Sequence, residues 1–368
     1  MSVRGLRIAI TTDAIGGVWT YTLDLAAGIR DAGAVPRIIA LGPALRDDQR
    51  RDLAGLGLEA VETGLPLEWL ARDAGEWRDA ATVIAGLVRD WSADLAHLHT
   101  PALAGAAAFD CPVAAVNHSC VATWWAGVRG GPLPSDLQWR ADAVGAGLRR
   151  ADLAIAPTTA YAAVVRDTYA LDRAPLAIHN GRACGPAGAT ARSDTVFSAG
   201  RLWDEGKNIV ALARAAPTLP WPVVVAGDVV APHGGMVALD GVVPLGRLSE
   251  TGIRDRLAAR PIFVSPARFE PFGLTVLEAA QAGCALVLND IATFRELWDG
   301  AARFVDATGP DALASAIRTL TDDRPRRDAL GEAARRRAAR YSAAASVAAT
   351  IDAYAAVLPH AQRTLCRA

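Results

Sequence analysis

Two carboxylates, Glu270 and Glu278, bracket the start of an expected helix in the stretch Phe263–Gly283, FVSPARFEPFGLTVLEAAQAG. A buried strand should end at Ser265-Pro266, a turn should carry Glu270, and Phe272-Gly273-Leu274-Thr275 should open the helix. The backbone N–H groups of a helix start lack intrahelical partners and sit at the positive end of the dipole, which suits a phosphate. Gly273 lets that backbone come close to a ligand. Glu278, about one turn further on, reaches hydroxyls beside the phosphate, and Glu270 lies before the helix on its other side. Carboxylates around a phosphate seat fit a phosphorylated sugar better than bare phosphate, which they would repel. The plain alternative makes Glu270 a capping residue and Glu278 a solvated helix position.

A second set of charges lies in Ser198–Asn208, SAGRLWDEGKN, between an expected strand and a helix. Arg201 and Lys207 put two cations at a strand end, suited to a diphosphate whose negative charge grows as it departs. Lys207 is the only lysine among 38 Lys and Arg residues. A compact, flexible ammonium survives where the rest of the chain uses planar guanidinium groups. Earlier in the chain, Gly16 and Gly17 follow the opening strand and permit a close backbone approach, though a tight turn explains them equally. His118 ends another strand, where a structural role competes with a polar one in a site. His97 and His99 supply only two ligands with no evident third, so no metal site is expected. Asn180-Gly181 reads as a turn. Arg247 and Leu248, after Gly246, follow a further strand.

The elements that must position these residues form an α/β pattern. Strands are expected at Leu6–Thr12, Val35–Leu41, Asp94–His99, Pro112–His118, Asp152–Ala156 and Leu176–His179, then at Thr195–Ala199, Val223–Ala226, Gly241–Pro244, Ile262–Ser265, Ala285–Leu288 and Arg303–Val305. Helical patterns alternate with them, which implies parallel sheets covered on both faces. The Gly/Pro/Ala-rich run Gly181–Arg192 reads as a linker, giving one domain at 1–182, a second at 183–341, and a C-terminal helix in 342–368 that either caps the second domain or crosses back to the first. Ligands of such sheets lie at strand carboxyl ends, so facing domains would share a cleft. A chain of 368 residues, 52% hydrophobic and with a formal net charge of −1, reads as fully folded and without the electrostatic footprint of a nucleic-acid binder. Five scattered cysteines without a CxxC pair read as reduced thiols of a cytoplasmic protein. The opening residues lack an export signal, and Ser342–Leu358 is too short and too weakly apolar to cross a membrane.

The run Glu270-Pro-Phe-Gly-Leu-Thr-Val-Leu-Glu278 resembles the E-x7-E signature of GT-B glycosyltransferases, particularly family 4. The resemblance implies two Rossmann-like domains, an acceptor-side one at 1–182 and one at 183–341 that mainly holds the nucleotide-sugar donor. It implies Glu270 on the donor sugar's hydroxyls, Glu278 on the ribose, and amides at Gly273 and Leu274 on the diphosphate. Arg201-Leu202…Lys207 resembles the family's G-R-L…K motif, with one extra residue and with Asn208 where glycine is usual. Gly16-Gly17 and His118 resemble the family's cleft-lining glycines and strand-end histidine, Asn180-Gly181 its hinge-side pair, and Gly246-Arg247-Leu248 the loop near the base, whose backbone or guanidinium would meet it. The implied reaction is sugar transfer to a glycan, lipid or small-molecule hydroxyl, with retention, no metal and no cofactor besides the donor. A GT-B epimerase, hydrolase or phosphorylase, and a non-catalytic nucleotide-sugar-binding protein, are the alternatives. Seven arginines between Arg324 and Arg340 could touch the inner face of a membrane or simply form a solvated helix face.

Overall fold

The computed structural model describes residues 3–183, 191–232 and 234–358. The linker residues 184–190, with Cys184, and the C-terminal residues 359–368, with Cys366, lie outside the described residues. The chain divides into a first unit, Met1–Gly181 with Ala343–Ala368, and a second, Arg182–Ser342.

The first unit holds a parallel seven-stranded sheet. Its strands are β1 (Arg7–Asp13), β2 (Val35–Leu41), β3 (Ala60–Glu62), β4 (Leu95–Leu98), β5 (Val113–Val116), β6 (Leu153–Ala156) and β7 (Leu176–Ala177), in the order β3-β2-β1-β4-β5-β6-β7. Each expected strand of this half has a counterpart; β3 is additional. It is a three-residue, half-exposed edge strand, too short for its alternation to stand out. Helices α1 (Gly17–Asp31) and α14 (Ala343–Tyr354) lie together on this unit. Gly28 makes the approach possible, since a Cβ there would stand 2.5 Å from Val347 Cγ2. The chain's last described helix thus packs on the unit that its first strand begins.

In the second unit, β8 (Val196–Ala199), β9 (Val223–Ala226), β10 (Val243–Pro244), β11 (Ile262–Ser265), β12 (Leu286–Asn289) and β13 (Arg303–Val305) form a parallel sheet ordered β10-β9-β8-β11-β12-β13. Alternation along the strands builds a core on each face. Phe197, Phe263, Leu286 and Leu288 join one with α10 (Leu274–Ala282), while Val196, Ile262, Val264 and Val287 join the other with α8 (Ile209–Ala215) and α12 (Pro310–Asp322). The strand order reverses between β8 and β11, leaving a crevice at their carboxyl ends. That is where the two charged sequence stretches arrive.

Candidate active site

The loop after β8 is shaped by its own polar residues. Asp204 accepts a hydrogen bond from Gly206 N at 2.9 Å, winding Glu205–Lys207 into a 3-10 turn. Asn208 then adopts the left-handed conformation, φ 53° and ψ 33°. Asparagine tolerates this region better than most side chains, so it fills the backbone role of the glycine usual in the resembled motif. Its buried amide also donates to Pro266 O and Ala307 O, both at 3.1 Å. A glycine could not make those bonds.

The loop after β11 is stitched to the first. Gly206 O accepts from Arg268 N at 2.8 Å, and Asn289, at the end of β12, donates to Ala267 O at 2.9 Å. Thr293 Oγ1 donates to Glu270 O at 2.7 Å. Between these anchors the two candidate side chains meet: Lys207 Nζ lies 2.5 Å from Glu270 Oε2. Both are mostly covered, with side-chain exposures of 20% and 13%. Gly273, the N-cap of α10, has φ 88°, and no side chain caps the helix start. A Cβ on Gly273 would stand 3.3 Å from Glu270 Cγ and 3.2 Å from Phe294 Cε1. Glu270 therefore touches the ammonium of Lys207 through its carboxylate and the helix start through its stem. An ammonium carries three donors, only one of which serves this ion pair.

The other expected residues of this unit have partners of their own. Glu278 Oε1 accepts from Arg182 Nε at 2.9 Å. Arg201 donates to Asp204 Oδ2 at 2.8 Å, and its guanidinium lies 5.5 Å from the Trp203 ring centre. Arg247, following left-handed Gly246, is half-exposed and 3.8 Å from Asp228. Leu274 and Thr275 begin α10, and Leu248 packs against the core beside it.

In the first unit, Gly16 (φ 88°) caps α1, and Gly17 begins it. His118 follows β5, two strands from β1, and its Nε2 is 2.9 Å from His99 Nδ1. His97, on β4, meets Tyr354 Oη of α14 at 2.7 Å through Nδ1. Burial holds His97 down to about 3 and His118 down to about 4, and pushes His99 well below the usual imidazole range. The three rings are therefore neutral at physiological pH. Among the described residues, no three His, Cys, Asp or Glu side chains are disposed to hold a metal ion.

Arg182, Asn208 as a bridge, and His99 as the partner of His118 carry no signal in the sequence. Each acts through contacts distant in the chain. Two arginines of α13 (Arg324–Ala338) serve the fold: Arg327 is buried over Trp221 and donates to Leu320 O, and Arg337 donates to Leu297 O and Asp299 O; Arg335 and Arg336 pair with Glu332 on the exposed face. No helix among the described residues is long and apolar enough to cross a membrane.

Comparison with known structures defines the class. The chain superposes on sucrose-phosphate synthase from Thermosynechococcus elongatus with a TM-score of 0.76 at 16% identity, covering 95% of this chain and 98% of the other. For Anabaena HepE in complex with UDP-glucose the values are 0.70, 19%, 94% and 99%. The fold is GT-B. Residues 15–182 match the model of Glycosyltransferase Family 4, and residues 188–337 that of Glycosyl transferases group 1. The lipopolysaccharide core biosynthesis mannosyltransferase LpsB of Rhizobium meliloti is 31% identical over 136 residues, 32% of this chain and 37% of that protein. Glycogen synthase of Mycobacterium tuberculosis is 29% identical over 287 residues, 68% of this chain and 66% of that protein. The matches thus span 37% and 66% of these relatives' own lengths. With both units matched, the chain belongs to the GT-B glycosyltransferases of the family 4 type.

Proposed function

We propose that the protein transfers a sugar from a nucleoside-diphosphate sugar to a hydroxyl acceptor, with retention at the anomeric carbon and without a divalent metal. The observation that carries this reading is the meeting of Lys207, Glu270 and the start of α10 at the reversal point of the second sheet. The helix start and the remaining donors of Lys207 hold the diphosphate, while Glu270 orders the sugar hydroxyls. Arg201 adds charge at the same strand end. Glu278 takes the ribose, and the loop at Gly246-Arg247-Leu248 takes the base. The acceptor is assigned to the carboxyl-end face of the first unit, where Gly16, Gly17 and His118 lie, and neutral His118 hydrogen-bonds without competing for the proton.

In the reaction the bond between the anomeric carbon and the diphosphate oxygen breaks, and the acceptor oxygen attacks from the same face. The acceptor's proton passes to the departing diphosphate. Lys207 and the α10 amides stabilise the charge that develops there, which is the electrostatic work a metal would otherwise do. UDP-glucose bound to HepE makes UDP-sugars the first probes, although that structural relative is only 19% identical.

A thermal-shift screen against UDP-, GDP-, ADP- and dTDP-sugars identifies the donor, because binding to the folded state raises apparent stability. NMR of the product with an acceptor panel, with and without EDTA, should then show the donor's anomeric configuration in both conditions. An inverted product, or loss of turnover with EDTA, overturns the corresponding part of the proposal. Turnover of the donor alone would indicate an epimerase or hydrolase, and tight binding without turnover a binding protein.

A further inference from the structure

Arg182 has an unusual position for a charged side chain: it is only 6% exposed, at the point where the chain enters the second unit. A buried guanidinium persists only when paired. Its Nε donates to Glu278 Oε1 at 2.9 Å and its Nη2 to Glu250 Oε1 at 3.0 Å. Glu250 begins α9 (Glu250–Ala258) and accepts from Arg254 as well, at 2.8 Å. The backbone of Arg182 is fixed too. Its N–H donates to Tyr341 O at 3.2 Å, and its carbonyl accepts from Gln281 Nε2 at 3.2 Å.

Gln281 and Glu278 stand three residues apart on α10, on one face of the helix. Arg182 is therefore strapped along that face, by its carbonyl at one end and its guanidinium at the other. Rotation of Glu278 would break its bond to Arg182 Nε and leave the buried guanidinium with Glu250 in place of two carboxylates. A carboxylate accepts at about four lone-pair positions, so the bond to Arg182 orients Glu278 without using up its accepting capacity. Nε and Nη2 go to different carboxylates from one planar fork, a fixed geometry that the point-like ammonium of lysine on its flexible stem would not hold.

We propose that Arg182 is a positioning residue for nucleoside recognition: it holds the Glu278 carboxylate at the angle that reads the ribose hydroxyls of the donor. This rests on the assignment of Glu278 to the ribose made above, and it adds a residue on which the discrimination between ribose and its deoxy forms depends.

The test is calorimetric titration of the full-length protein with UDP, GDP and ADP beside their 2′,3′-dideoxy counterparts. The wild type should bind its preferred ribonucleotide at least about tenfold more tightly than the dideoxy form, the worth of a hydrogen bond to a charged group. Arg182→Gln should bring that ratio to within about threefold of unity, while dideoxy affinity changes by less than about threefold. A ratio preserved in Arg182→Gln, with both ligands weakened alike, overturns the role of Arg182 alone. If Arg182→Gln does not fold, Arg182→Lys should still lose most of the ratio, and a retained ratio there also overturns the proposal. A wild type that binds nucleotides without preferring ribose overturns the Glu278 assignment along with it.

Discussion

Lys207 Nζ lies 2.5 Å from Glu270 Oε2 across the reversal point of the second sheet, joining residues 63 apart in the chain. The pair is held from both sides by backbone: the Gly206 carbonyl ties the first loop to Arg268, and Thr293 grips the Glu270 carbonyl. Such a site is pre-formed. Little reorganisation is needed when charge develops on a departing group, and that is the condition under which fixed charges stabilise a transition state most.

Asn208 sets the shape of the Lys207 loop, and its two contributions can be separated. Asn208→Ala loses two amide hydrogen bonds, worth about 1 kcal/mol each, and adds left-handed strain of about 1–2 kcal/mol. Asn208→Gly loses the bonds and not the strain. Urea unfolding should rank wild type above glycine and glycine above alanine, with alanine about 3–4 kcal/mol down. Equal stability for glycine and alanine would show that the backbone conformation is not what asparagine provides.

Gly273 combines a φ of 88° with neighbours at 3.2–3.3 Å from any added Cβ. Gly273→Ala should cost about 1–3 kcal/mol of stability and at least about tenfold in kcat/KM, because the new methyl presses on the stem of Glu270. Steady-state kinetics beside thermal unfolding checks both. Activity within about twofold of wild type would detach the helix start from the chemistry.

The histidine cluster predicts a pH dependence. His118 is held down to about 4 and His97 to about 3 by burial, and His99 is also well below an ordinary imidazole. Unfolded histidines titrate near about 6.5, so between about 6.5 and 4 the unfolded chain binds protons that the folded one refuses. Stability contributed by these rings is present above about 6.5 and is lost as pH falls toward 4. Glu68, raised to about 7 by burial, acts in the opposite sense between about 4.5 and 7, so the difference between variants is the readable quantity. His99→Gln should lose stability less steeply than wild type from pH 6.5 to 4.5. Parallel curves would contradict a neutral His99.

The loops carrying Lys207 and Glu270 were legible because each is contiguous in sequence. An apolar run ends, turn chemistry follows, and a helix begins, so local spacing alone puts the charges at strand ends. The strand Ile262–Ser265 and the helix after Gly273 lie where the residues imply. What remained hidden depends on partners far along the chain. Asn208 reads as a departure from a glycine motif until Pro266 and Ala307 are seen beside its amide, 58 and 99 residues away. His99 reads only as one of two histidines without a third ligand, and its role as the partner of His118 is visible only once β4 and β5 lie side by side. Arg182 sits at the edge of a Gly/Pro/Ala-rich run that has every compositional mark of a linker, and only α10 shows what it holds. β3 is illegible for a different reason, since three half-exposed residues carry no usable period.

Titration of the wild type and Lys207→Met with the donor that the thermal-shift screen identifies tests the whole arrangement most directly. Wild type should bind, and Lys207→Met should bind at least about tenfold more weakly, with an unfolding midpoint within a few degrees of the parent. Equal donor affinity in a folded Lys207→Met would contradict the placement of the diphosphate between this ammonium and the start of α10.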